Sequence, residues 1–187
     1  MLTCTKYVSM AERYDIVFDF SDYADQTIEL RNEETAGGIG VEVDYEDTDK
    51  VMRFVVASAV SSPDTSVVPD QLRDVPFPPA GSAVDHSFRF ARTNGDWTIN
   101  GVGFTDVENR LLANVPFETV QIWQLENRSQ GWTHPIHVHL VDFRILSRTG
   151  GRGIVEPYES AGLKDVVWLG KGETVLVEAH YAPVSSP

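Results

Sequence analysis

Residues 132–143 read Trp132-Thr-His134-Pro-Ile-His137-Val-His139-Leu-Val-Asp-Phe143, with three histidines in six residues and an apolar run behind them. Side chains alternate across a strand. A strand beginning at His137 therefore sends His137 and His139 to one face, and Ile136, Val138 and Leu140 to the other. Two imidazoles side by side suit a divalent or cuprous ion. Pro135 fixes the entry to the strand and lets His134 face elsewhere, so one short segment can serve two separate metal positions. A lone His-x-His is more often a hydrogen-bonded or surface pair. The third histidine and the enclosed proline make this stretch more specific.

On both sides of it the sequence is a series of short β-branched and aromatic runs punctuated by Gly, Pro, Asn and Asp. The pattern predicts strands at Arg13–Asp19, Thr27–Arg31, Val51–Val56, His86–Ala91, Trp97–Ile99, Thr119–Asn127, His137–Ser147, Asp165–Leu169 and Thr174–Ala179. Asn94-Gly95 and Asn100-Gly101 are turn dipeptides. No segment carries a convincing helical stripe; Asp106–Ala113 comes nearest and is short. Gly150-Gly151-Arg152-Gly153 follows a strand without opening a helix and reads as a hairpin loop. Asp142 and Arg144, at i and i+2, read as a same-face ion pair. The whole predicts an all-β chain, a sandwich or Greek-key barrel.

Between Ser58 and Ser82 the composition changes, and five of the ten prolines fall there (Pro63, Pro69, Pro76, Pro78 and Pro79). Proline at that density does not fit a central strand. The expected organisation is a small β unit over 1–57, a connector over 58–83 and a larger β unit over 84–187. The first is too small to bury much surface alone and reads as the tail of a domain.

Across 187 residues, 42% hydrophobic content supports a real core. The formal net charge is −13, and 13 acids against four bases lie in the first fifty residues. That balance excludes nucleic acid and an anionic membrane surface as partners, and it reads as a solvated acidic face. Acidic pairs such as Glu33-Glu34 and Glu46-Asp47 belong to it. No apolar run approaches the ~18 residues that span a bilayer. The N-terminus shows no basic stretch followed by an apolar one; taken literally that places the chain in the cytoplasm, and localisation stays open. Its single cysteine, Cys4, excludes an internal disulfide and any multi-thiolate metal site. Asn127-Arg128-Ser129 is a glycosylation sequon. The absence of G-x-S-x-G and of a phosphate-binding glycine loop argues against classical hydrolases.

HPIHVHLVDF resembles the H-P-x-H-x-H signature of multicopper oxidases. The likeness extends over SMAERYDIVFDFSDYADQTIELRN, DKVMRFVV, PDTSVVP, LRDVPFP, TINGV, NRLLANVP, SAGLKDVVWLG and ETVLVEAHYAP, which are similar to the fungal bilirubin oxidase group. The resemblance implies a cupredoxin-like Greek-key β-sandwich over 84–187, preceded by the tail of a second cupredoxin-like unit. It implies copper as cofactor, with His134 a ligand of the type 1 copper, His137 of the type 2 copper and His139 of the type 3 pair. Trp132 matches a tryptophan beside the type 1 site, on the substrate side. The family's further ligands, two N-terminal H-x-H motifs and a C-terminal H-C-H-x-x-x-H-x-x-x-x-M segment, have no match in this sequence.

The expectation is an incomplete, truncated oxidase that binds copper but does not alone couple substrate oxidation to dioxygen reduction. An exposed strand edge would then be covered by a second copy or a partner chain. The family's substrates are phenolic or tetrapyrrole molecules. Two other readings stay open. One is a copper-free scaffold that binds a small aromatic or terpenoid molecule or catalyses a non-redox step, with Trp132, Asp142, Arg144 and His180 as candidates. The other is a simple copper module using His137 and His139, with His86 or His180 as a further donor.

Overall fold

The computed structural model describes residues 6–33, 46–60, 62–71 and 81–182. Cys4, Glu34, Pro76, Pro78 and Pro79 lie outside them. Contacts divide the chain into two units, Asp15–Asp74 and Met1–Tyr14 with Val75–Pro187.

In the Asp15–Asp74 unit, β1 (Thr27–Arg31) and β2 (Lys50–Val55) pair antiparallel from Thr27↔Val55 to Leu30↔Met52. Phe20 packs on Phe18 and Phe54, and Phe18 on Tyr23, with ring centroids 4.7–5.6 Å apart. Residues 13–19, expected as a strand, join no ladder among the described residues. A strand needs a partner as well as a pattern, and the first two residues of that run are engaged elsewhere. Arg13 and Tyr14 belong to the other unit, where Arg13 binds Asp165 and Tyr14 binds Glu12.

That other unit is built on β3 (His86–Thr93), β4 (Asp96–Ile99), β5 (Val102–Gly103), β6 (Thr119–Asn127), β7 (His134–His137), β8 (Phe143–Thr149), β9 (Val166–Leu169) and β10 (Thr174–Tyr181). Six of them form one sheet in the order β5-β4-β3-β6-β10-β8, and β7 with β9 forms a separate two-stranded ribbon. Within the sheet β3 runs parallel to β6, and every other pair is antiparallel. The hairpin turns are those the sequence marked. Asn94 and Gly95 have φ of 51° and 94°, Asn100 and Gly101 54° and 84°, the positive values that two-residue hairpin loops require.

The core lies between sheet and ribbon. Leu125, Phe143, Val167, Leu169, Val175 and Val177 are buried there in one cluster, each contributing roughly 1.5–3 kcal/mol of apolar burial. All four residues of β9 are buried, which is why Val166-Val-Trp-Leu169 reads as an unbroken apolar run. Among the described residues no helix is long and apolar enough to cross a membrane.

Two expectations need correction. The strand placed at His137–Ser147 is two strands in different sheets. The chain leaves the ribbon at His137, Val138 still donates to the Asp165 carbonyl (3.2 Å), and Leu140 turns with φ of 69° before β8 begins. Apolar residues continue through the crossing, so alternation alone gives no sign of it. Nor is Gly150–Gly153 a hairpin loop. It leads from β8 to a single helical turn, α1 (Pro157–Ser160), closed by a reciprocal Glu156–Glu159 capping box.

Gly150 has φ of 65°, and a Cβ there would stand 2.4 Å from the Gly172 carbonyl oxygen. Gly150→Ala is expected to cost about 1–3 kcal/mol, from the left-handed backbone and the clash together. A urea unfolding curve checks it, and an unchanged midpoint would contradict the close approach.

Candidate metal centre

Burial alternates along β7. His134 and Ile136 turn inward, while Pro135 and His137 turn out. His134 and His137, three apart on a strand, therefore serve opposite faces. The segment presents its histidines to two places, as the sequence implied.

On the inner face the His134 ring stacks on Phe90 (5.9 Å) and meets the Trp97 ring edge-on (5.4 Å). Burial lowers its pKa and favours the neutral imidazole. Its Nε2 lies 2.8 Å from Ser129 Oγ. Beside it a groove of about 470 Å³ is lined by Phe90, Trp97, Ile99, Phe104, Leu112 and Ile136, with His134 in the wall. Trp132 is exposed and stands edge-on to Trp97 at 5.5 Å, so Trp97 bridges Trp132 and His134. Phe90, Trp97 and Ser129 were not singled out in the sequence for this site.

On the outer face the His137 and His139 rings lie 4.9 Å apart, inclined at 59°. They meet by a different route from the one expected. His137 ends β7, and His139 sits in the turn that follows. His137 Nδ1 lies 2.7 Å from the Asp165 carbonyl. A carbonyl only accepts, so Nδ1 carries the proton and Nε2 is left as the donor atom for a metal. The Asp165 carboxylate binds Arg13 Nη2 at 2.7 Å. Its burial works to raise the pKa, but the Arg13 hydrogen bond and charge outweigh that, and the net shift is downward.

The remaining candidates lie apart from these places. His86 packs against Phe88 and Trp123 (6.1 and 6.0 Å). His180 sits in β10 opposite Val120. Arg144 binds the buried Glu178, its cross-strand neighbour, and Asp142 precedes β8 and is exposed. Among the described residues no three His, Cys, Asp or Glu side chains come together as a metal-binding group. Imidazole donors with an oriented distal nitrogen suit copper. The donor chemistry fits at both places, and each needs further ligands to be complete.

The sequon has another use in the fold. Asn127 is 1% exposed, and its amide donates to the carbonyls of Trp132 (2.7 Å), Gly170 (2.8 Å) and Leu169 (3.4 Å). A glycan on that nitrogen is incompatible with these bonds. In a glycosylating host the soluble, folded fraction is expected to be unmodified at Asn127. Peptide mass spectrometry checks this, and a glycosylated peptide from folded protein would contradict it.

The sequence profile described as multicopper oxidase matches residues 76–184. The chain is 65% identical to bilirubin oxidase of Albifimbria verrucaria over 184 residues, covering 97% of this chain and 32% of that protein. It is 30% identical to laccase of Bacillus subtilis over 203 residues, covering 94% and 37%. In structure it is similar to the McoA multicopper oxidase of Aquifex aeolicus, with a TM-score of 0.68 at 23% identity, covering 88% of this chain and 36% of that one. The latter likeness establishes the cupredoxin-like all-β fold. The chain spans about a third of the length of the curated relatives it matches. On the profile match and the sequence identity together, this chain belongs to the multicopper oxidase family, whose cofactor is copper.

Proposed function

We propose that this chain contributes copper ligands at two places in a multicopper oxidase, His134 at a type 1 position and His137 with His139 at the type 2 and type 3 positions. The observation that carries the reading is the β7 ribbon, which turns His134 to one face and His137 to the other. Copper, when bound, supplies one-electron redox chemistry, through which such an enzyme oxidises phenolic or tetrapyrrole substrates at the expense of dioxygen. The chain's own residues fix the imidazoles. The Asp165 carbonyl orients His137, and Phe90 and Trp97 hold the ring of His134. The groove beside His134 is wide and aromatic enough to seat a planar substrate. With the donors described, dioxygen reduction requires ligands beyond these.

Copper(II) titration of the full chain, followed by electron paramagnetic resonance, tests this. Imidazole-coordinated copper is expected. The double change His137→Ala/His139→Ala should weaken that binding roughly tenfold or more, and adding His134→Ala should remove the rest. Copper uptake unchanged in the triple variant would overturn the reading. The groove also favours a second reading, a copper-free scaffold for a small aromatic or terpenoid molecule. That reading gains if the triple variant stays folded and still binds such a molecule.

A further inference from the structure

The hydrogen bonds around His134 have only one consistent assignment of protons. Asn127 presents one end of its side-chain amide to three backbone carbonyls, of Trp132, Leu169 and Gly170. Carbonyls only accept, so that end is the NH₂ group. The opposite end is then Oδ1, and it faces the Ser129 backbone N–H at 2.9 Å, a group that only donates. Both ends agree, which fixes the amide orientation.

Ser129 Oγ lies 2.5 Å from Asn127 Oδ1. An amide oxygen has no proton to give, so the hydroxyl must donate to it. The other acceptor within reach of the hydroxyl is the Trp132 carbonyl at 3.4 Å, and that too only accepts. Whichever of these the hydroxyl proton chooses, the oxygen's lone pair is what remains for His134 Nε2 at 2.8 Å. His134 Nε2 is therefore the donor in that bond, and a neutral ring with its proton on Nε2 has a bare Nδ1.

We propose that Asn127 and Ser129 are positioning residues, a two-step relay that locks His134 in the Nε2–H tautomer and keeps Nδ1 free as its donor atom. Asn127 reads the backbone and passes a fixed polarity to Ser129, and Ser129 passes it to the ring. The anchors belong to the β6 end, the Trp132 segment and the β9 end, so the tautomer is set where those segments converge. The metal consequence rests on the assignment of His134 as a copper ligand; the tautomer lock does not.

The experiment uses the full chain, copper-free and labelled with ¹⁵N-histidine, at about pH 8, where an ordinary imidazole is neutral. A long-range ¹H–¹⁵N correlation spectrum separates the two tautomers, and His134 is assigned by its absence in H134Q. A single Nε2–H tautomer is expected for His134. An Nδ1–H ring, or two tautomers averaging, would overturn the proposal. Ser129→Ala removes only the hydroxyl and should let both tautomers populate, whereas Ser129→Thr, which keeps the hydroxyl, should retain one. A ring still locked on Nε2–H in S129A would also overturn it. On the copper side, S129A is expected to weaken binding at His134 by roughly tenfold. If the lock is seen but H134Q takes up copper as the wild type does, the relay stands and the ligand assignment falls.

Discussion

Arg148→Met is expected to remove about 3–5 kcal/mol of unfolding free energy. Arg148, Glu159 and Glu173 all have side chains with 0% exposure. The guanidinium grips Glu159 with two nitrogens, Nη2 to Oε1 at 2.6 Å and Nε to Oε2 at 3.2 Å. Through Nη1 it also reaches Glu173 Oε2 and the Trp168 carbonyl, both at 2.9 Å. Methionine fills much of the same space but leaves two buried carboxylates with, among the described residues, Arg152 as their remaining cation. Arg152 is a poorer partner, 3.3 Å from Glu159 and 3.7 Å from Glu173. Arg152→Met should therefore cost less than Arg148→Met. Urea unfolding of the full chain is the measurement, and a loss below ~1 kcal/mol for Arg148→Met would show that the network contributes little.

The same network sets an acid limit. Burial works to raise the pKa of Glu159, but the Arg148 hydrogen bond, the Glu156 amide and the charges of Arg148 and Arg152 outweigh it, and the net shift is downward from 4.5. A carboxylate with a depressed folded-state pKa stabilises the fold above its ordinary value, and that contribution fades as pH falls through the folded one. Stability is expected to decline below pH 4.5, and Arg148→Met should blunt the part of the decline that belongs to Glu159.

The second large effect is expected for Lys164→Met. The segment Lys6–Tyr14 lies as a strap against the ribbon and α1, with Tyr7 stacked on Trp168 at 5.2 Å and its N–H donating to Tyr158 at 3.3 Å. At its centre the Glu12 side chain is buried, and its Oε1 is 3.3 Å from Lys164 Nζ. Ser9 and Tyr14 donate to the same carboxylate. The Tyr14 hydroxyl has its pKa raised, first by burial and then by the Glu12 bond, so it stays protonated and able to donate. Lys164 also donates to the Arg13 carbonyl at 3.1 Å and lies 3.6 Å from the Tyr14 ring centre.

Removing the cation strands Glu12, at a cost approaching 3 kcal/mol. The chain can escape that cost by releasing the strap. Amide exchange over Lys6–Tyr14 should accelerate sharply in Lys164→Met while exchange in β6 and β10 stays slow. Strap amides as protected as in the wild type would contradict this account.

What could be read in the sequence follows from how local each feature is. The strand Thr119–Asn127 and the turns at Asn94-Gly95 and Asn100-Gly101 were legible because alternation and positive φ are properties of neighbouring residues. The two histidine places were legible from one motif. The change of sheet between His137 and Phe143 was not, since apolar residues run through it. Arg148, Glu159 and Glu173 were read as nothing in particular, because charges on strands and turns ordinarily face water, and only the tertiary fold puts 25 residues of separation into one salt bridge. Asn127 and Ser129 were noticed only as a sequon, a triplet that often occurs by chance. The triplet that marks a sugar acceptor also serves as a buried hydrogen-bond relay, and burial alone tells the two apart.

Among the described residues the ribbon of β7 and β9 has no strand ladder in common with the six-stranded sheet. A backbone bridge between Phe143 and Lys164, two bonds of 2.7 Å, joins them at one point, and side chains fasten the rest: Asn127 at Leu169 and Gly170, Arg148 and Arg152 at Trp168, with Val167 and Leu169 in the shared core. Lifting the ribbon would open the core that the sheet also needs, so ribbon and sheet hold together. The time for which His134 and His137 hold their places is then tied to the lifetime of that shared core. An ion seated on them would be retained for as long as the core stays closed.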